Sequence, residues 1–440
     1  MGNGGGATVQ KRRDEPHKPA HVRKPQPKRK KKTGKAVGFG IAAVGVCILT
    51  AAVFGLVSSA ITAAPQPAAA VGVPQSTAQS GSAAPADSQP QQPKVETVRF
   101  SATGDNLIHD GIYLQAAKRT GGTGYDFAPV YENLKEFYAG FDLNWLNQET
   151  LITDEIEPSG YPQFCTPAAC GQAVYDLGMR VISMSNNHAY DKYAKGVEAT
   201  LRFWDSMPDD VLTTGLWSDT QQIPVLEKNG ITFAFLSYTD YTNGIPEPEG
   251  TPARVIYTSE ETLIQQQIQQ AAQTADVVVV GFHWGVENSH EVSEAQRALA
   301  QKAADWGADV IIGTHPHVIQ AIETVTSADG RTVPVAYSLG NFVSAKQYAD
   351  QMISIVLTFD VTKTTQPDGI STVEIGNVKA VPSVTHYDAG YTNIRQYLLR
   401  DYTEELAAQH GTRASSGRFD LAYIREVLTQ WIDESYLQWD

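Results

Sequence analysis

Five short apolar runs in this sequence each end in a polar or metal-ligating side chain. Val98-Arg99-Phe100-Ser101-Ala102 runs into Thr103-Gly104-Asp105-Asn106, and Phe141 to Leu146 leads to Asn147-Gln148-Glu149. Val181 to Met184 is followed by Ser185-Asn186-Asn187-His188. The all-apolar Val277 to Val280 ends in Gly281-Phe282-His283-Trp284-Gly285, and Val310 to Ile312 ends in Gly313-Thr314-His315-Pro316-His317. Open α/β sheets bind ligands outside the carboxyl ends of their strands. Read as strands, these runs would gather Asp105, Glu149, Asn187, His188, His283, His315 and His317 in one crevice. A single His near a strand is more often a satisfied structural residue, but five coincidences at one end of a sheet are harder to dismiss.

Two carboxylates, an Asn and several imidazoles make a mixed nitrogen and oxygen donor set without a nearby thiolate, which suits Zn, Mn or Fe. Pro316 stiffens the turn between His315 and His317, so their rings can diverge toward two ions or toward one ion and a substrate. Two ions about 3.5–4 Å apart, bridged by a carboxylate, are the usual arrangement for phosphoester hydrolysis. His188, beside the candidate ligand Asn187, could protonate a leaving oxygen. A buried polar network tying the loops together is the alternative. Neither a Gly-x-Ser-x-Gly elbow nor a Gly-x-x-x-x-Gly-Lys loop occurs, which argues against covalent serine hydrolysis and P-loop chemistry.

The elements that must position these groups follow from the alternation of strand-like and helix-like segments after Thr97, an α/β layered pattern. Ser293 and Gln296 form a capping-box signature before Ala295, Leu299, Ala303 and Trp306 at helical spacing, with Gly307 as the stop. Beyond Phe342, Met352 to Val361 and Ser371 to Val381 read as strands, and Phe235 to Tyr238 as a further strand of the layer. Residues 391–409 and 418–437 read as two amphipathic helices, the first with Leu398, Leu399, Tyr402 and Leu406 on one face. Cys165 and Cys170 lie in a Pro-containing loop where a local disulfide is open to them.

The chain of 440 residues carries a net charge of −14, but residues 1–35 hold twelve Lys or Arg against two acids. That segment is +10, which leaves −24 on the remainder. So acidic a remainder does not bind nucleic acid by diffuse attraction. No charged residue occurs between Lys35 and Asp87, and the stretch from Ala36 exceeds the ~20 apolar residues that span a bilayer. Lys28 to Lys32 and Lys35 precede it and place the N-terminus in the cytoplasm. The expected organisation is a basic cytoplasmic tail at 1–35, a transmembrane signal anchor at 36–62 and a Pro/Ala/Gln/Ser spacer at 63–95. An α/β domain at 96–362 and a C-terminal extension of strands and helices at 363–440 follow. This predicts a single-pass protein of the cell membrane with its C-terminal domain outside. A cleaved signal peptide is the alternative, which the long basic leader and Pro65 disfavour.

Taken together, Gly104-Asp105, Asn147-x-Glu149, Asn186-Asn187-His188-x-x-Asp191, His283-Trp284-Gly285-x-Glu287, Gly313-x-His315-Pro316-His317 and Tyr337-Ser338-Leu339-Gly340-Asn341-Phe342 resemble the CapA family. These are capsule and poly-γ-glutamate biosynthesis proteins similar to calcineurin-like metallophosphoesterases, and the likeness covers roughly residues 97–345. It implies a four-layer α/β/β/α sandwich rather than one doubly wound sheet. It places Asp105, Glu149, Asn187, His283, His315 and His317 at metal-ligand positions and His188 at the catalytic His. Asn147, Asp191 and Glu287 would orient ligands or face substrate, and Asn341 and Ser338 would fix a loop or face substrate. The sequence departs from the pattern at Asp105-Asn106-Leu107, where the phosphoesterases carry Asp-x-His, so one metal site is a ligand short. His109 reads as a surface residue of a first helical turn rather than a substitute. The family often has His at the position of Thr314 and Gly near Tyr193, differences expected to bear on substrate contacts.

The resemblance implies an extracytoplasmic hydrolase using one or two divalent ions on an anionic envelope polymer or its phosphorylated precursor. The competing expectation is a non-catalytic accessory subunit of a membrane-bound polymer synthase or exporter.

Overall fold

Strand β1 spans Lys94–Asp105 and turns from exposed to buried along its length, so Asp105 closes the strand inside the protein. The computed structural model describes residues 92–440 and the first two residues, and residues 92–440 belong to one compact unit. The expected anchor, its basic flank and the spacer as far as residue 91 lie outside the described residues. Among the described residues no helix is long and apolar enough to cross a membrane.

After β1 come α1 (Asp110–Arg119), β2 (Leu143–Asn147), α2 (Ala168–Leu177), β3 (Val181–Ser183), α3 (Tyr193–Asp205) and β4 (Leu212–Thr214). A second series follows: β5 (Val225–Lys228), β6 (Ile231–Thr239), α4 (Glu261–Thr274), β7 (Val277–His283), α5 (Glu294–Trp306), β8 (Val310–Thr314), β9 (Ile322–Thr326) and β10 (Thr332–Ala336). The chain ends with β11 (Ile353–Thr365), β12 (Ser371–Asp388), β13 (Thr392–Leu398), a short helix at Glu404–Gln409 and α6 (Leu421–Trp431). These strands form a mixed α/β sandwich of two sheets. One sheet has seven strands in the order β13-β12-β11-β1-β2-β3-β4, and the other has six in the order β5-β6-β7-β8-β10-β9.

Each sheet has a parallel centre. Strands β1 to β4 pair in parallel, as do β6, β7, β8 and β10, whereas β5, β9 and β11 to β13 are antiparallel additions. The run Val277 to Val280 is apolar at every position because both faces of β7 are covered. Val278, Val280 and Phe282 pack against Ile264 and Ile268 of α4 and Leu299, Ala300 and Ala303 of α5. Val277 and Val279 turn instead into the larger core that includes the seven-stranded sheet. Phe100 of β1 stacks on Phe359 of β11 at 4.6 Å and reaches Phe233 and Phe235 of β6 at 6.3 and 6.2 Å, joining the sheets. The capping box of α5 forms as read, with Ser293 and Gln296 bonding reciprocally.

Two readings of the C-terminal part are corrected. The expected helix over 391–409 is a strand in its first half, where Ile394, Gln396 and Leu398 point inward at a period of two. Its backbone is claimed by β12, whose Ser383 and Val384 stand opposite Leu398 and Tyr397. The boundary placed at residue 362 falls within β11, which pairs with β1 from Lys94 to Ala102. Residues 363–398 therefore complete the first sheet.

Candidate metal centre

The parallel strands of both sheets deliver polar side chains to one rim. Asp105 is the last residue of β1, Asn147 of β2, His283 of β7 and Thr314 of β8. Glu149, Asn187, His188, His315 and His317 follow within a few residues of strand ends, so the structure brings together all seven side chains singled out by the strand-end reading. Two sheets rather than one supply them. The end of β1 approaches the Gly340 turn so closely that a Cβ at Gly104 would overlap the Gly340 carbonyl. The Asp105 amide donates to that same carbonyl at 3.0 Å.

Asp105 is fully buried and joins the sheets: its Oδ1 accepts from Asn147 Nδ2 at 2.7 Å and its Oδ2 from the His315 amide at 3.2 Å. Asn147 thus orients the carboxylate. His283 Nδ1 lies 3.0 Å from Thr314 Oγ1, and its Nε2 lies 3.1 Å from Asn187 Oδ1 and 3.2 Å from His315 Nδ1. Thr314, expected to bear on substrate, is buried and fixes a candidate ligand instead. His315 and His317 adopt φ of 99° and 60°, left-handed conformations that cost a side-chain-bearing residue about 1–3 kcal/mol and cluster at functional sites. Asn341 clamps the second of them. Its Oδ1 lies 3.0 Å from His317 Nδ1, while its Nδ2 donates to the carbonyls of His317 and Gln351 at 3.1 and 3.0 Å. With His317 Nδ1–H donating to Asn341, Nε2 keeps its lone pair for the site.

Two groups of donor atoms result, Asp105/Glu149/His317 and Glu287/His315/His317, each with its atoms within 4.8 Å of one another. They share His317, whose Nε2 lies 3.7 Å from Glu149 Oε1 and 3.8 Å from Glu287 Oε1. Glu287, read as a residue that would orient a ligand imidazole, stands among the donors itself. The carboxylate of Glu149 is the strongest indication that the cluster suits a cation. Both of its oxygens are buried and neither has a hydrogen-bond partner, a costly condition for such a group.

The titration behaviour agrees. Burial raises the Asp105 carboxyl to about 6, and burial together with the Asp105 charge holds Glu149 well above the ordinary carboxyl value. Burial, reinforced by neighbouring imidazoles, holds His283 well below its ordinary value and lowers His315 to about 3. Burial and then the Lys346 charge lower His317. Carboxyls that resist ionising beside imidazoles that resist protonation are what a desolvated donor set shows before a cation favours the ionised acids and the neutral rings.

Above the cluster opens a cleft of about 610 Å³, lined by His188, Asp191, Glu287 and His317 among others. His188 Nδ1 lies 2.8 Å from Asp191 Oδ2, which also accepts from the Phe164 amide at 2.6 Å. The turn is closed by Asn186 Oδ1, which accepts from the His188 amide at 3.0 Å. His109 is not the surface residue expected. It is half-buried in the cleft wall with its ring against Phe164, burial lowers it to about 3, and its Nδ1 faces the Leu107 carbonyl and the Ala345 amide. Ser338 fixes its loop by donating to the Val318 carbonyl at 2.7 Å. The expected disulfide is absent. Cys165 and Cys170 are buried free thiols, Cys165 facing the Ile156 carbonyl and Cys170, on α2, facing Tyr131 and Asn106.

Three residues of the cleft escaped the sequence reading. Tyr241 places its hydroxyl 2.8 Å from His315 Nε2, Asn243 Nδ2 lies 3.3 Å from His188 Nδ1, and Lys346 supplies a cation. Tyr241 and Asn243 follow β6, which is also a parallel strand, so the strand-end rule applied to Phe235–Tyr238 would have found them. No comparable signal marks Lys346.

The fold and this rim define a protein with a donor cluster at the carboxyl ends of two sheets, and comparison gives its family. The model of the bacterial capsule synthesis protein PGA_cap matches residues 99–346, and the chain belongs to that family. The PGA biosynthesis protein CapA of Bacillus subtilis (strain 168) is 32% identical over 282 residues, covering 62% of this chain and 71% of that relative. The capsule biosynthesis protein CapA of Bacillus anthracis is 34% identical over 178 residues, covering 39% of this chain and 42% of its own length. Among solved structures, the NAD nucleotidase NadN of Haemophilus influenzae aligns with a TM-score of 0.39 at 12% identity, covering 77% of this chain and 60% of that one. A putative 5'-nucleotidase from Staphylococcus aureus aligns with a TM-score of 0.38 at 14% identity, covering 65% and 54%.

Proposed function

We propose that this protein serves capsule or poly-γ-glutamate biosynthesis as a metal-dependent hydrolase of the phosphoesterase type, acting on an anionic envelope polymer or its phosphorylated precursor. In this reading the two sheets and their covering helices are the four layers of a metallophosphatase-like sandwich, anchored at the cell membrane by residues 36–62 with the domain outside. The observation that carries it is the buried, unpartnered Glu149 carboxylate between Asp105 and His317, next to a second donor group that shares His317.

Asp105, Glu149, His317, His315 and Glu287 would hold one or two divalent ions, with Asn187 and His283 adjoining. A bound ion would supply Lewis acidity toward a phosphoryl oxygen. The chain supplies the rest. Asn147, Thr314 and Asn341 orient Asp105, His283 and His317. Asp191, at Nδ1 of His188, fixes the ring, so a proton held at Nε2 can pass to a leaving oxygen in the cleft. The close approach of Gly104 to the Gly340 turn packs against Asp105, which is fully buried.

A second reading is favoured by the position of His109. The first strand lacks the family's Asp-x-His, and His109, though in the cleft wall, stands in neither donor group. The chain would then be a non-catalytic accessory subunit of a membrane-bound synthase or exporter complex. Metal analysis of the full-length protein beside His317→Ala, with phosphoester hydrolysis measured on both, separates the readings. One to two equivalents of Zn, Mn or Fe, reduced in the variant and accompanied by hydrolysis, support the hydrolase. No hydrolysis of phosphoesters or γ-glutamyl polymers, with or without bound metal after reconstitution, refutes the hydrolase and supports the subunit.

A further inference from the structure

Lys346 is the one Lys or Arg among the residues lining the cleft. It lies on the segment after β10, five residues beyond the Asn341 that clamps His317. Its backbone is held on both sides: the Lys346 carbonyl accepts from Tyr387 Oη at 2.7 Å, and the Ala345 amide points at His109 Nδ1 at 3.3 Å. The side chain is half-buried, and among the described residues it makes neither an ion pair nor a hydrogen bond. The cleft lining holds two carboxylates, Asp191 and Glu287, and Lys346 pairs with neither. Asp191 Oδ2 holds His188 and the Phe164 amide, and Glu287 Oε1 faces His317 Nε2 at 3.8 Å.

A cleft of about 610 Å³ is also larger than one phosphoryl group needs and falls in the range of pockets that enclose small organic ligands, roughly 300–1,000 Å³. A compact ammonium on a flexible stem suits phosphate or carboxylate as a point charge. We propose that Lys346 is a specificity residue that receives a second anionic group of the substrate, a carboxylate or a phosphate set apart from the group that faces the donor cluster. The identity of the first group rests on the hydrolase reading; the anion subsite at Lys346 does not.

Binding to full-length, Zn-reconstituted protein tests this with three non-hydrolysable probes: benzylphosphonate, 4-carboxybenzylphosphonate and 1,4-phenylenebis(methylphosphonate). Calorimetry on the wild type should show at least one doubly anionic probe binding about 10-fold or more tighter than benzylphosphonate, as a charged hydrogen bond allows. Which of the two gains tells carboxylate from phosphate. Lys346→Met should shrink that gain to within about 3-fold while leaving benzylphosphonate unchanged, and Lys346→Arg should restore most of it. No gain in the wild type, a gain that survives in Lys346→Met, or an equal loss for all three probes would overturn the proposal. Weak benzylphosphonate binding beside a Lys346-dependent gain would sink the phosphoesterase reading and leave the subsite standing. Failure of all three probes to bind would remove both.

Discussion

Replacing Glu149 with Gln should stabilise the metal-free protein while weakening its response to metal. The side chain is buried, both oxygens lack partners, and its nearest imidazole nitrogens stand 3.7 and 3.9 Å away, so Gln removes no hydrogen bond. Burial and the neighbouring Asp105 raise the folded-state carboxyl well above 4.5, so on raising the pH the unfolded chain ionises first. The sign follows directly. Below about pH 4.5 both states carry the proton and the two proteins differ little from this cause. With each unit of pH above that, until the folded carboxyl itself ionises, wild type loses about 1.4 kcal/mol relative to the Glu149→Gln variant. Over the two units to pH 6.5 the gap can reach at most about 3 kcal/mol, a shift of several degrees in Tm. Denaturant titrations of both full-length proteins in chelator at pH 4.5, 5.5 and 6.5 measure it. Saturating Zn or Mn should reverse the order, because a ligand at 1,000 times its Kd adds about 4 kcal/mol to wild type and less to a variant missing one anionic donor. A variant less stable than wild type in chelator at pH 6.5, or a gap independent of pH, would refute the view of Glu149 as an acid held ready for a cation.

Asn341→Ala should weaken metal binding about 10–100-fold by freeing the His317 ring, with a stability cost of about 1–3 kcal/mol for the two carbonyls it leaves unbonded. Competition with a chromophoric chelator reads the first effect and denaturant unfolding the second. His188→Ala should leave metal content unchanged and cut phosphoester hydrolysis about 10²–10⁴-fold. Asp191→Asn should retain the fold but loosen the hold on the His188 ring, lowering phosphoester hydrolysis with metal content unchanged. Equal loss of metal in His188→Ala would show that His188 belongs with the ligands.

The chemistry of this site was legible because each contributing strand carries its polar residue at or just past the last apolar position. Sheet packing forces an abrupt change there from a buried pleat to an open rim, and Asp105, Glu149, His283 and His317 all fall at that change. Tyr241 obeys the same rule after β6, so missing it reflects the strand, which was not followed to its end. Lys346 illustrates the other limit. It reaches the site on the segment between β10 and β11, whose path is set by tertiary contacts such as Asp105 N–H to Gly340 and Tyr387 to Lys346, and Asn341 on the same segment was marked only by the family resemblance. Residues 392–398 were misread for a related reason. Leu398, Leu399, Tyr402 and Leu406 also fit a helical stripe, and a buried Gln at 396 obscured the alternation with Ile394 and Leu398.

The net charge of the chain gains a meaning from this geometry that composition alone lacks. With −24 on residues 36–440, the surface repels anions, so an anionic substrate must be drawn in by something local. The floor of the cleft does not add to that repulsion as strongly as its count of acids suggests, because Glu149 resists ionisation when no cation is present. Binding a divalent ion would favour the ionised Glu149, add positive charge beside the cleft, and leave Lys346 as the remaining cation at the wall. Charge selection at this site would therefore switch on with metal loading, so affinity for an anionic probe should depend far more steeply on metal occupancy than affinity for its neutral ester.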